Sequence, residues 1–249
     1  MIHFALIVTG WNCANLVSRC WRSIAGQGGL FTWEAHVYDD GSDDSTWTMI
    51  ERLPPDDRRH AYRASENLGA AHARHRLLER VHGDDTICVL VDLDDWLEVG
   101  ALARVAREYE THRRTWLTYG SWGPDRPNGR HQANAQRPYP PEVVATRAYR
   151  GHPFRAAPLR TFRRHLLEGV EPRHLQGADG SWLRACTDVA LMWALLEQCA
   201  PERVRYIPDT LYRYAWRRQL GTIMRYGSQY KREIRAYLET IPPLPLKVA

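Results

Sequence analysis

The sequence predicts an α/β fold with a mainly parallel sheet and a helical C-terminal region, on three observations. Apolar runs of strand length alternate with stretches of helical spacing through the first 120 residues. Such alternation implies right-handed crossovers, which leave neighbouring strands parallel. The two acidic clusters of this half, Asp39-Asp40 and Asp92-Leu93-Asp94-Asp95, each follow directly on a strand-like run. The carboxyl edge of an open sheet is where such folds bind ligands.

Residues 4–8 form a continuous apolar run, which suits a strand buried on both faces. Residues 15–25 have helical spacing at Leu16, Cys20 and Ile24, and Gly26 ends the run. Residues 35–38 are a short strand. Ser45 is placed to cap a helix through residue 53, which Pro54-Pro55 stops. A short strand near 61–63 precedes a helix over 69–81. Residues 86–91 are a second buried strand, 99–110 a helix and 115–119 a strand. Residues 120–141, rich in Gly, Pro, Asn and Arg, read as a long loop. Residues 158–168 and 188–198 read as helices, 206–207 and 210–214 as short strands around Pro208, and 223–239 as an amphipathic helix. Three regions follow: 1–120, 121–215 and 216–249.

A chain of 249 residues can bury one substantial core. Its longest apolar runs are too short to span a bilayer, and Met1 leads into strand-like sequence without the pattern of a secretory signal. The expectation is a soluble, cytoplasmic protein with no transmembrane segment. Five cysteines without metal-ligand spacing read as buried apolar residues. The net charge is +5, and every basic residue except Lys231 and Lys247 is arginine. Arginine suits phosphate, because its guanidinium forks onto oxygen pairs, although the charge alone names no partner.

In extended chain, residues two apart point the same way, so Asp92 and Asp94 can converge. Two carboxylates at a strand end offer hard oxygen donors to Mg²⁺ or Mn²⁺ and leave room for substrate phosphates. The competing reading is a turn that caps the next helix. At Asp39-Asp40-Gly41-Ser42, a carboxylate can accept the ring N–H of a uracil, and glycine lets the backbone approach a ligand; an ordinary Asp-Gly turn is the alternative.

The ordered set of segments resembles glycosyltransferase family 2, of the GT-A fold, a Rossmann-like sheet flanked by helices. Leu6 to Asn12 is similar to the family's opening strand and turn, with Trp11 where tyrosine is usual. Ser23 to Gln27 resembles the end of its first helix, and Val37 to Thr46 its nucleotide-binding segment. Glu66 to His75 resembles its asparagine-glycine and alanine-arginine-asparagine stretch, with His75 replacing asparagine. Val91 to Leu97 resembles its Asp-X-Asp motif. The resemblance implies an inverting, metal-dependent transferase with a nucleotide-sugar donor, a UDP-sugar first. Thr9 and Asp40 would hold the nucleotide base, Arg74 would approach the ribose or diphosphate, and Trp11 would join the nucleotide-sugar site. Asp92 would contact the ribose or a metal-bound water, and Asp94 would ligate Mn²⁺ or Mg²⁺. Outside that context Arg74 reads as a solvated helix charge.

Inverting transfer needs a base for the acceptor hydroxyl. Cys186 to Trp193 resembles the family segment that carries it, which makes Asp188 the base, with Thr187 where glutamate is usual. A helix cap is the plainer reading of both residues. Asp179 competes as base, although Asp-Gly more often only turns the chain. Trp182 is either a ring platform or core. His152, His165 and His174 carry no pattern that makes any of them a ligand. In Leu117 to Trp122 and Leu159 to Arg163 the second half also resembles, more faintly, family members from phages and large viruses.

The acceptor is open: a glycan, a lipid-linked sugar or a small hydroxyl compound. A second reading places it on a hydroxymethylated pyrimidine in DNA, because basic and aromatic residues interleave at 216–218, 225–226 and 230–232. A solvated amphipathic helix explains the same residues. A nucleotidyltransferase would carry a Gly-rich basic loop after its first strand, and Thr9-Gly10-Trp11-Asn12 is not one. A non-catalytic nucleotide-sugar-binding module would not need a base beside a metal.

Overall fold

The computed structural model describes residues 1–125, 137–215 and 222–248. Its strands are β1 (Ile2–Gly10), β2 (Phe31–Asp39), β3 (Arg59–Arg63), β4 (Ile87–Asp92), β5 (Trp96–Leu97), β6 (Leu117–Pro124), β7 (Arg160–Arg163) and β8 (Val204–Tyr214). Its helices are α1 (Val17–Ala25), α2 (Thr46–Glu51), α3 (Ala70–Leu78), α4 (Ala101–Thr111), α5 (Pro141–Thr146), α6 (Thr187–Leu196) and α7 (Thr222–Thr240). All eight strands join one sheet, in the order β3-β2-β1-β4-β7-β6-β8-β5. The half of the sheet formed by β3, β2, β1 and β4 is parallel. Beyond it, β7 runs antiparallel to both β4 and β6, while β8 is parallel to β6. The sheet therefore continues across the boundary drawn at residue 120, inside β6.

The central strands are apolar on both faces because each face carries a layer of helices. Ala5 and Ile7 of β1, with Cys88 and Leu90 of β4, join the core that includes α3 and α6. Phe4, Leu6 and Val8, with Ile87, Val89 and Val91, join the core that includes α1 and α4. Residues 189–196 of α6 are all buried. That helix is apolar all round because it runs through the core rather than over it. No helix of the described residues is long and apolar enough to cross a membrane.

Four elements depart from the sequence expectation. Residues 158–168 are not α-helical: they contain β7 and a short 3-10 helix at Arg164–Gly169. Thr161 and Phe162 are fully buried by antiparallel pairing on both sides, a tertiary gain that overrides local spacing. The predicted loop over 120–141 begins as strand, since β6 continues to Pro124, and ends in the start of α5; its middle, 126–136, lies outside the described residues. The two short strands around Pro208 are one strand, with register shifts where β6 meets it near Ser121. The C-terminal helix is broken at Gly227, whose φ of 82° and ψ of 161° are not helical.

Candidate active site

Three parallel strands end side by side. Thr9 of β1 lies opposite both Tyr38 of β2 and Asp92 of β4, and Gly10 lies opposite Asp39. Backbone bonds continue past the strands: Leu93 N–H donates to the Thr9 carbonyl and Asp40 N–H to the Gly10 carbonyl, each at 2.9 Å. The loops brace one another, with Asn12 N–H on the Ser42 hydroxyl at 2.9 Å and Cys13 N–H on that of Thr46 at 2.8 Å. Trp11, half-buried, sits in this junction. Thr9 is buried, and its hydroxyl has no hydrogen-bond partner among the described residues. A buried hydroxyl left this way at a sheet's carboxyl edge suits a ligand contact.

Asp40 also has partners within the protein. Its carboxylate accepts from Leu68 N–H at 3.1 Å, Gly69 N–H at 2.7 Å and the Asn67 amide at 2.8 Å. Burial nevertheless pushes its carboxyl up to about 6. The side chain thus anchors the loop that leads into α3 and so fixes where Arg74 stands. Gly41 approaches the same loop closely: its φ is +66°, and a Cβ there would lie 2.3 Å from the Glu66 carbonyl carbon. Gly41→Ala should therefore destabilise the fold by about 2 kcal/mol or more. Chemical denaturation would measure it, and a midpoint equal to wild type would contradict this packing.

Arg74 of α3 joins the two acidic positions. It is buried; its Nη2 donates to Asp92 at 2.6 Å and its Nη1 to the Thr187 hydroxyl, at the start of α6, at 2.9 Å. Burial alone would favour loss of its proton, but Asp92 and Asp188 outweigh burial and raise the guanidinium further. Asp188, the second residue of α6, accepts from Val189 N–H at 2.9 Å through Oδ1 and from Arg160 at 2.7 Å through Oδ2. Burial would raise its carboxyl; Arg160 and Arg74 prevail and hold it below the usual carboxylate range. The positive end of the α6 dipole acts in the same sense.

Asp95 serves the frame. It is buried and accepts from the Tyr212 hydroxyl and Ala215 N–H, each at 2.8 Å, and the same hydroxyl accepts from Asp92 N–H at 3.0 Å. Burial, then Asp94 and Asp92, push the Asp95 carboxyl well up. The Tyr214 hydroxyl is raised by burial and then by Asp95, Asp94, Asp92 and Asp188.

Asp92 and Asp94 are both half-buried. Among the described residues no three His, Cys, Asp or Glu side chains converge as a metal cage. Two strand-end carboxylates without a cage fit Mg²⁺ or Mn²⁺, which keep water and substrate oxygens in their shell, and do not fit a structural zinc site. The histidines lie elsewhere: His174 caps a 3-10 turn with Glu171, His165 meets the Trp116 ring and His152 the Tyr139 ring. Trp182 packs on His72 and His75 of α3. Asp179 is exposed and accepts from the N–H and hydroxyl of Ser181, at 3.0 and 2.7 Å, as a turn residue does. Residues 216–218 of the basic–aromatic pattern lie outside the described residues, as does the side chain of Arg225. In α7, Tyr230, Ile234, Tyr237 and Leu238 pack on the core. A groove of about 440 Å³ lined by Glu34, His36, His60, Tyr62 and Arg80 shares no residue with the acid site.

The sequence profile described as glycosyl transferase family 2 matches residues 5–170. The chain belongs to that family. A search of curated proteins finds no match. Among solved structures, the fold is similar to residues 1–349 of S. aureus TarS in complex with UDP-GlcNAc, with a TM-score of 0.66, 17% identity, and 89% of this chain and 60% of that one covered. The same TarS fragment with UDP aligns at a TM-score of 0.64 and 20% identity over 86% and 61% of the two chains. The mannosyltransferase PcManGT of Pyrobaculum calidifontis, in complex with GDP-Man and Mn²⁺, gives 0.57 and 20% over 87% and 57%. This family 2 chain thus spans about 60% of the length of these three structures. The mixed, mostly parallel core they share is the GT-A architecture.

Proposed function

We propose that this protein transfers a sugar from a nucleotide sugar, a UDP-sugar first, to an acceptor hydroxyl with inversion at the anomeric carbon. The acceptor is a glycan, a lipid-linked sugar or a small hydroxyl compound. The observation that carries the reading is Arg74, which bonds Asp92 at the β4 end and Thr187 at the α6 start. A donor-side acid and a candidate base thereby border one space.

In this reading Thr9 and Trp11 flank the nucleotide base, with Asp40 beneath holding the loop. Mn²⁺ or Mg²⁺, held by Asp94 and Asp92, would neutralise the diphosphate as it departs. Arg74 supplies a fixed positive charge beside the same group. Asp188 takes the acceptor proton while the acceptor oxygen bonds to the anomeric carbon and the bond from that carbon to the diphosphate oxygen breaks, its electron pair leaving with the diphosphate. A carboxylate held ionised is ready for that proton near neutral pH. The TarS complexes with UDP and UDP-GlcNAc, and PcManGT with GDP-Man and Mn²⁺, support a nucleotide-sugar donor and a divalent ion.

The test is thermal stabilisation. UDP with Mn²⁺ or Mg²⁺ at about 100 times its Kd should stabilise the fold by roughly 2.7 kcal/mol. UDP without metal should give little shift, and Asp94→Asn should abolish the metal dependence while the free protein still melts cooperatively. No shift with any nucleoside diphosphate plus metal would reject the donor site.

A further inference from the structure

Beneath Asp188 lies a cation. Arg160, the first residue of β7, is 7% exposed. Its Nη2 donates to Asp188 Oδ2 at 2.7 Å, and its Nε donates to the Ala156 carbonyl at 2.7 Å. The backbone therefore sets where the guanidinium sits. The other carboxylate oxygen of Asp188 is held by Val189 N–H. Each oxygen thus has one fixed donor, one from the sheet and one from the helix start, which leaves the carboxylate a single orientation. Its side chain remains 35% exposed, so one face is open to an incoming hydroxyl.

We propose that Arg160 is a positioning residue for sugar transfer: it holds the Asp188 carboxylate in the orientation that meets the acceptor hydroxyl. The inference rests on the reading of Asp188 as the base. The groups that face Asp188 are Arg160 from β7, Arg74 from α3, Lys231 from α7, Tyr214 from β8 and Cys186 beside it. Arg74 directs its bonds at Asp92 and Thr187, and Lys231 acts more weakly than either arginine. Arg160 combines direct contact with a fixed mounting. A carboxylate near a single guanidinium can rotate around it; one tied through both oxygens cannot, and misorientation of a base is costly to rate.

The test uses the full chain labelled with ¹³C at aspartate carboxyls, with the Asp188 resonance assigned by its loss in Asp188→Asn. In Arg160→Gln the Asp188 midpoint should rise by about one pH unit or more, because the contacting cation is gone. Arg160→Lys should shift it less, and Arg163→Gln, a control on the same strand that faces Asp85 and the Thr115 carbonyl, should leave it in place. Release of UDP from UDP-GlcNAc with Mn²⁺ should lose about tenfold to a hundredfold in kcat in Arg160→Gln. Its KM should stay near wild type, its acid limb should move to higher pH, and Arg160→Lys should recover part of the rate. If the glutamine variant does not fold, the lysine variant carries the test with the same directions at smaller size. An unmoved midpoint, or turnover within about twofold of wild type, overturns the proposal. Failure of the base reading is distinct: there Asp188→Asn itself turns over normally, whereas an inactive Asp188→Asn beside an active Arg160→Gln overturns the role of Arg160 alone.

Discussion

Asp188→Asn should abolish sugar transfer while donor binding survives. A general base acts on the acceptor hydroxyl, so its loss is felt in the transition state and little in the donor complex. The expected fall in kcat is about a hundred- to ten-thousand-fold. The structure adds a stability cost to this variant. An amide cannot balance the charge of Arg160, which is buried and 2.7 Å away, so about 1–3 kcal/mol of stability should be lost as well. Melting the variant with and without UDP and Mn²⁺ separates the two effects: a lower melting temperature that still rises with donor marks a folded, donor-competent, inactive enzyme. Asp179→Asn is the control. Its carboxylate is exposed and engages only its own turn at Ser181, so near-normal turnover is expected. Normal turnover in Asp188→Asn with a dead Asp179→Asn would reverse the assignment.

The parallel half of the fold was legible because each of its elements is stabilised locally in sequence. β1 and β4 are uninterrupted apolar runs, and the acids that follow them mark the strand ends. What was not legible is set by partners distant in sequence. β7 has four residues, two of them arginines, and is a strand only because β4 and β6 flank it. Misreading it as helix hid the place of Arg160 in the sheet, beside Asp188. The Tyr212 hydroxyl links Asp92 and Asp95 across about 120 residues, a contact that no local pattern encodes. The acidic clusters stand at the carboxyl ends of neighbouring parallel strands, as the apolar runs before them implied, but their separate partners were not legible. Asp40 and Asp95 lie in acidic runs as conspicuous as Asp92 and Asp94, yet both are buried and bonded to the frame. Burial separates a carboxylate that holds a loop from one that can meet a ligand, and burial is a property of the folded chain. Thr187, which departs from the glutamate usual in the family, has a partner in the structure: its hydroxyl accepts from Arg74.

Arg74→Met should be the most damaging single substitution at the site. The methionine fills much of the volume but leaves Asp92 without its 2.6 Å partner, Thr187 without its donor and Asp188 without one of its three nearby cations. Removing one member of a buried ion pair typically costs 3–5 kcal/mol. Asp92 is about one-third exposed and can recover some hydration, which puts the expected loss near the low end, about 3 kcal/mol. The pH dependence has a definite sign. Asp188 has a lowered carboxyl pKa in the folded state, so its pairing contributes stability that is present above the unfolded carboxylate value of about 4 and is lost as the pH falls through the folded value. In Arg74→Met that contribution shrinks, so the difference in stability between wild type and variant should be wide at pH 7 and narrow in acid. Arg74→Lys should not rescue it: one ammonium cannot span Asp92 at 2.6 Å and Thr187 at 2.9 Å with the planar fork of a guanidinium. Denaturant titrations of the three proteins at pH 7 and at about pH 2, below the unfolded carboxylate value, decide the matter. A lysine variant with wild-type stability and wild-type turnover would mean that Arg74 serves as a bare charge, and the link between the donor-side acids and the base would then have to run through other residues.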